Sequence, residues 1–419
     1  MSAPRFAALR VGAYRRYFVV STLSMVADNI EHVISWWVMF QAFHSPALAG
    51  FAVISHWVPF LLFSLHAGAL ADRHDCRRLI QISQVLYIVA SLSWGLLFLA
   101  GTLQMWHAVV ILLVHGAAGV LAAPAQQLII HDMVQVEDLP SAIRLNASSR
   151  YVSILLGPAI GGGLMLLLGP AWGLLANVLI YLPFSIFLFR VPYTGHTTHA
   201  REERSKPFGF ADVWHVLAMA RTEPRIITMI VLAGASSFFV GNAFQAQMPE
   251  YAQYLGADDT GARYTILLAA NAAGAILGVV LLESASLLQP SSRTAIICAA
   301  LWAIAMGFFP MTQNYELAVA LLVVAGVFSI AFTSMAQTLV QMLAPPRIRG
   351  SIVGLFNTSM LGLRAGAGVT VGVLGAFTGV RLSLELSSLA LLLFSIGLFA
   401  RDARASRQGS PVLADRESV

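Results

Sequence analysis

Twelve apolar runs, each about 19 to 27 residues long and bounded by charge, Gly or Pro, divide this chain. A helix rises about 1.5 Å per residue, so a run of that length crosses the ~30 Å hydrocarbon layer of a bilayer. The fold expected is an all-α membrane protein with twelve transmembrane helices. Their approximate spans are 17–42, 47–70, 79–100, 104–130, 144–168 and 171–190, then 225–248, 262–283, 294–312, 316–342, 351–376 and 380–400. A hydrophobic share of 58% against 11% charged residues lies well outside the soluble range. The first run is too long for a signal-peptide core and no small-residue cleavage site follows it, so it is expected to be retained as a span.

The long polar insertion, Val191 to Pro224, contains an amphipathic stretch from Phe210 to Ala220. It marks a six-helix bundle over 1–190, a cytoplasmic linker over 191–224, a second six-helix bundle over 225–400 and a cytoplasmic tail over 401–419. Shifted by 205 residues, Arg144 meets Arg349, Gly157 meets Gly362 and Gly161 meets Gly366. The bundles are therefore expected to be pseudo-symmetric, with helices five and eleven as mates. Parallel repeats of this kind place a substrate site at the interface of the halves, near the bilayer midplane.

Charge distribution excludes nucleic acid as the partner of this basic chain. Of its 25 Lys and Arg, Arg263 and Arg381 fall in one set of loops and Arg364 inside a helix, while the other 22 fall in the opposite set. That is the positive-inside asymmetry, with both termini cytoplasmic, and the location expected is a bacterial inner (cytoplasmic) membrane. Cys76 and Cys298 map to the cytoplasmic side, so no disulfide is expected, and no zinc spacing exists. There is no Gly-rich phosphate loop, nucleophile elbow or His-Glu-x-x-His helix, which excludes an enzyme of those kinds and calls for no cofactor. The energy for any transport must come from a gradient.

One span carries charge where charge is costly. Asp28 lies roughly 16 Å and Glu31 roughly 21 Å along the first helix from Tyr17. An ionised group at such depth costs at least about 2.5 kcal/mol. With Ser21, Ser24, His32 and Ser35 they form one polar stripe at helical spacing, which faces protein or water rather than lipid. Arg364, about 14 residues past Gly350, is the cation at comparable depth and needs an anionic partner, for which Asp28 and Glu31 are the available acids. A carboxylate takes up a proton when dry and releases one beside a cation, which is what coupling requires.

The segment Gly68-Ala69-Leu70-Ala71-Asp72-Arg73-His74-Asp75-Cys76-Arg77-Arg78 resembles the signature loop of the major facilitator superfamily. Gly157-Pro158-Ala159-Ile160-Gly161-Gly162 on helix five is similar to the Gly-Pro and Gly-Gly motif of the superfamily's exporters. Arg15-Arg16-Tyr17-Phe18, Ser45-Pro46, Pro59 to Phe63 and Arg349-Gly350 resemble the branch containing the enterobactin exporter and macrolide-efflux proteins. The resemblance implies an alternating-access transporter that exports a small molecule against proton influx. Gly68, Asp72, Arg73, Arg77 and Arg78 would form its conformational switch, and Gly157, Pro158, Gly161 and Gly162 would seal the cavity. In the loop, Gly68 would permit close helix contact and Asp72 would sit against the N-terminal end of a neighbouring helix.

The function expected is secondary active, proton-coupled export of an amphipathic or siderophore-like molecule. Asp28, Glu31, His32 and Arg364 are assigned to proton and substrate coupling. Trp36, His56, His115, Asn242, Gln245, Asn271 and Gln337 are assigned to the substrate cavity. The partners are a small-molecule substrate, protons and the lipid bilayer, with the chain acting as a monomer. No metal site is assigned, since His32, His56 and His115 have no dense ligand spacing. The alternatives are an importer or divalent-metal exporter of the same fold, or a non-transporting membrane sensor.

Overall fold

The computed structural model describes residues 6–195, 218, 221, 223–256, 261–285, 291–345 and 349–408. Apart from Ala218, the amphipathic stretch expected in the linker lies outside them, as does the tail beyond Gln408. The described chain is helical. Its first six long helices are α1 (Gly12–Phe43), α2 (Pro46–Arg73), α3 (Cys76–Leu99), α4 (Met105–His131), α5 (Leu139–Leu168) and α6 (Pro170–Arg190). Among the described residues ten helices are long and apolar enough to cross a membrane. The charge-bearing α1 and the apolar Val152–Leu168 part of α5 complete the twelve expected.

Helix starts follow local chemistry. The Ser45 hydroxyl accepts from Leu48 N at 3.3 Å and Pro46 opens α2, a favoured pairing because proline has no N–H to leave unsatisfied. α1 begins five residues before its apolar run. Tyr14 and Tyr17 hold that extra turn in the core of the unit, and Tyr14 donates to the Ala142 carbonyl at 2.8 Å.

The second set is α7 (Pro224–Phe239), α8 (Ala262–Ala285), α9 (Ser292–Phe308), α10 (Tyr315–Leu343), a broken α11 and α12 (Val380–Gln408). α7 stops at Gly241, whose positive φ of 49° turns the chain, and the short helices Ala243–Ala246 and Met248–Tyr254 follow. α11 starts as Arg349–Asn357, widens into a π-helical stretch at Thr358–Gly362, and tightens at Arg364–Ala367. It then widens again at Gly368–Val373 and ends with Leu374–Thr378.

The chain clusters into two compact units, Met1–Phe208 with Gln245–Ala269, and Gly209–Phe244 with Ala270–Val419. In the first, α1 packs on α5 and α6, α4 on α2 and α3, and α3 on α6. The segment after α7 joins this unit through specific bonds. Gln247 donates to the Pro46 carbonyl at 2.8 Å, and the Tyr264 hydroxyl donates to the Val33 carbonyl at 2.8 Å.

In the second unit α7 packs on α11 and α12, and α9 on α10 and α12, repeating the pairings of α1 with α5 and α6 and of α3 with α4 and α6. Gly157 and Gly366, one from each of the two echoed pairs, lie at the corresponding crossings. A Cβ on Gly157 of α5 would stand 2.4 Å from Asn29 Cβ on α1, and one on Gly366 of α11 would stand 2.2 Å from the Phe238 ring on α7. At both crossings only a hydrogen allows the approach.

Candidate functional site

The polar stripe of α1 turns into the first unit, as its spacing requires. Glu31 is 2% exposed and His115, arriving from α4, is 5% exposed. His115 stands between the two carboxylates. Its Nδ1 lies 2.9 Å from Glu31 Oε1 in a hydrogen bond, and its Nε2 lies 2.9 Å from Asp28 Oδ1 as an ion-pair contact off the hydrogen-bond direction. One imidazole therefore touches both acids of the span.

Two further imidazoles complete the cluster. His32 Nδ1 lies 2.7 Å from the Asp28 carbonyl, and His32 Nε2 lies 3.3 Å from His56 Nδ1 on α2. The His32 ring centre is 4.9 Å from that of His56 and 4.8 Å from that of His115. Trp36, one further turn along α1, sits edge-on to His32 at 5.5 Å. These three rings are the described group able to hold a metal ion.

Backbone packing sets this geometry. A Cβ on Gly116 would fall 2.1 Å from the Ser55 carbonyl oxygen, so α2 and α4 touch through main chain at the residues next to His56 and His115. Any larger residue at 116 would part the two helices and with them the two rings. Neighbouring spans buttress α1. Asn177 of α6 donates to the Ala27 carbonyl at 2.9 Å, the Ser24 hydroxyl donates to Gln84 Oε1 of α3 at 3.0 Å, and Tyr87 of α3 stands edge-on to His115. Tyr87 in turn stacks on Tyr181 of α6.

The structure therefore gathers Asp28, Glu31, His32, Trp36, His56 and His115 from the expected set. The other cavity candidates sit elsewhere. Gln245 and Asn242 are half-buried near the α7 break, and Gln337 is half-buried on α10. The Asn271 amide donates to the Leu322 carbonyl at 3.3 Å, tying α8 to α10. Arg364 is half-buried in the second unit, in the short α-helical turn between the two π-helical stretches. Such widened turns recur at functional sites. The side chain that meets both carboxylates inside the first unit is the His115 imidazole, placed by the sequence only in the cavity.

Two details of the signature loop depart from expectation. A Cβ on Gly68 would meet nothing within 4 Å, so the close helix contact expected there is not made. Asp72 is exposed, and the acid at a helix N-terminus is Asp75, which caps α3 by accepting from Arg77 N at 2.9 Å. Asp75 also pairs with the Arg77 guanidinium at 2.9 Å, and Arg77 donates on to the Val191 carbonyl after α6 at 2.8 Å. Arg73 is exposed, and Arg78 reaches Asp75 only at 4.0 Å.

In the motif of α5, Gly161 packs on Ile30 of α1, and a Cβ on Gly162 would stand 1.9 Å from Thr265 Cγ2 of α8. Pro158 lies within the helix, between the glycine contacts.

Residues 3–408 match the profile of the transmembrane secretion effector family. The staphyloferrin A transporter of Staphylococcus aureus is 22% identical over 227 residues, a match spanning 53% of this chain and 57% of that relative. The MFS-type transporter YqjV of Bacillus subtilis is 20% identical over 363 residues, 83% of each chain. Among solved structures, a bacterial homologue of the human lysosomal transporter Spinster superposes with a TM-score of 0.70 at 13% identity, covering 94% of this chain and 97% of that one. The D-xylose–proton symporter superposes with a TM-score of 0.64 at 16% identity, covering 94% and 97%.

Proposed function

The chain belongs to the transmembrane secretion effector family of major facilitator transporters, and we propose that it exports a small amphipathic or siderophore-like molecule in exchange for protons. It is a multi-pass membrane transporter rather than an enzyme. The observation that carries the coupling reading is His115 lodged 2.9 Å from both Asp28 and Glu31 inside the first unit. With both carboxylates ionised and the imidazole protonated, the cluster carries one net negative charge. One added proton makes it neutral. A neutral cluster crosses a dry, closed state at far lower cost than a charged one, so protonation licenses the conformational change.

The match to a staphyloferrin A transporter supports a siderophore-like substrate, and Arg364 in the second unit is the group suited to recognise an anionic part of it. Gly157, Pro158, Gly161 and Gly162 close one end of the path by close helix packing, and the Asp75–Arg77 loop governs switching. The chain works as a monomer in the bacterial inner membrane with its termini in the cytoplasm.

The test is a proteoliposome assay with an imposed pH gradient. A panel of polycarboxylate siderophores and amphipathic drugs is loaded on the side corresponding to the cytoplasm, and flux and internal pH are followed together. Substrate accumulation that tracks the proton gradient, with protons moving oppositely, supports the reading. Flux that ignores the gradient for every substrate overturns the proton coupling.

A further inference from the structure

We propose that His32, His56 and His115, with Asp28 as the fourth ligand, form a binding site for a divalent first-row transition-metal ion, with zinc as its representative. The three imidazoles come from three helices, and one ring nitrogen of each lies within 4.8 Å of the others. The His32 Nε2 to His56 Nδ1 separation is 3.3 Å. That equals the edge, about 3.3 to 3.4 Å, of a tetrahedron built on Zn–N bonds of about 2.0 to 2.1 Å. Small side-chain rotations close the remainder.

The orientation of the rings is the stronger argument. His32 Nδ1 is engaged by the Asp28 carbonyl at 2.7 Å and must carry its proton, which leaves Nε2 with a lone pair. His115 Nδ1 is engaged by Glu31 in the same way. Its Nε2 lies 2.9 Å from Asp28 Oδ1, a buried contact in which neither atom has a well-directed hydrogen bond. A carbonyl behind His32 and a carboxylate behind His115, with the opposite nitrogens facing His56 and Asp28, is how proteins prepare imidazoles to ligate a metal. When His115 Nε2 gives up its proton, its lone pair faces a buried carboxylate oxygen, and a metal ion held by both would replace the proton there. Three imidazoles and a carboxylate suit zinc, copper, nickel or ferrous iron over calcium or magnesium, which prefer all-oxygen shells.

This site does not depend on the export reading, although it shares residues with it. A bound metal would neutralise Asp28 as a proton does, so metal and proton would be alternative occupants.

The full chain, purified in detergent with a tag free of histidine and stripped by a chelator, is titrated with Co²⁺ and then with Zn²⁺. One Co²⁺ per chain with the intense visible absorption of a tetrahedral complex, displaced by Zn²⁺, is expected. His32→Ala and His56→Ala should each weaken binding at least tenfold. Glu31→Gln, behind His115, should weaken it by about 10- to 100-fold. His66→Ala, on the exposed face of α2, should leave it unchanged. Gel filtration and helical circular dichroism identify any variant that fails to fold, and His56→Gln is the substitute for a failed His56→Ala. Absence of tetrahedral absorption in the folded wild-type protein overturns the site, as does binding that survives both His32→Ala and His56→Ala. Proton-driven flux measured with excess chelator separates the two readings. Its loss would sink proton exchange without touching the metal site, and its presence without Co²⁺ binding would do the reverse.

Discussion

Glu31 and His115, 84 positions apart in sequence, meet at 2.9 Å in the buried centre of the first unit. Removing one partner of a buried pair strands the other at about 3 to 5 kcal/mol, whereas removing both is much cheaper. His115→Ala should therefore lower the unfolding temperature in detergent more than His115→Ala with Glu31→Gln. Strictly additive effects in that double-mutant cycle would show that the contact contributes no coupling energy.

Transport should separate the acids from the arginine. Asp28→Asn and Glu31→Gln are expected to abolish accumulation driven by a pH step while sparing exchange of substrate for substrate. Arg364→Gln is expected to raise the half-saturation concentration by about 10- to 100-fold, the loss of one charge-assisted hydrogen bond of about 1.5 to 3 kcal/mol. If Arg364→Gln changed only the maximal rate, its assignment to anion recognition would be wrong.

Glycine contacts make two contrasting predictions. Gly162→Ala places a Cβ 1.9 Å from the Thr265 methyl, an overpacking cost of about 1 to 3 kcal/mol. Thr265→Ala removes that methyl and should restore most of the lost thermal stability. Gly116→Ala collides with the Ser55 backbone oxygen instead, so Ser55→Ala should not rescue it. Equal rescue of the two would mean that the α2–α4 approach is not set by main chain.

Orientation has to be read from introduced cysteines, because Cys76 and Cys298 are both buried and would resist any thiol reagent on either side. Thr102→Cys, in the exposed α3–α4 turn, should react with an impermeant maleimide in intact cells. Val136→Cys, exposed between α4 and α5, should react only after lysis. The opposite pattern would invert the topology.

Asp75→Ala removes the cap of α3 and the anchor of Arg77 together, and should cost about 1 to 2 kcal/mol. Transport velocity should fall with little change in half-saturation if this loop governs switching. A matching Asp72→Ala, at an exposed side chain, should leave stability within about 0.5 kcal/mol. Comparable losses of stability would restore Asp72 to the role the sequence assigned it.

The number of spans, the placing of Asp28, Glu31 and His32 on one face, and the pairing of α5 with α11 were legible in the sequence. Each rests on one-dimensional quantities: run length against bilayer thickness, the 3.6-residue period, and a fixed shift between repeats. The partners of those residues depended on tertiary packing. His115 and His56 lie on other helices, and nothing in their own spans shows that Gly116 lets α4 reach the Ser55 backbone of α2 and so brings the rings together. The break after α7 could be suspected from Gly241, but the bonding of Gln247 and Tyr264 into the first unit could not. Asp75 was within reach, since an acid just before an apolar run is a helix-cap signal, yet Asp72 matched the family pattern better. Helical spacing chooses the face a side chain presents, but helix crossings, set by where backbones can touch, decide what that face meets.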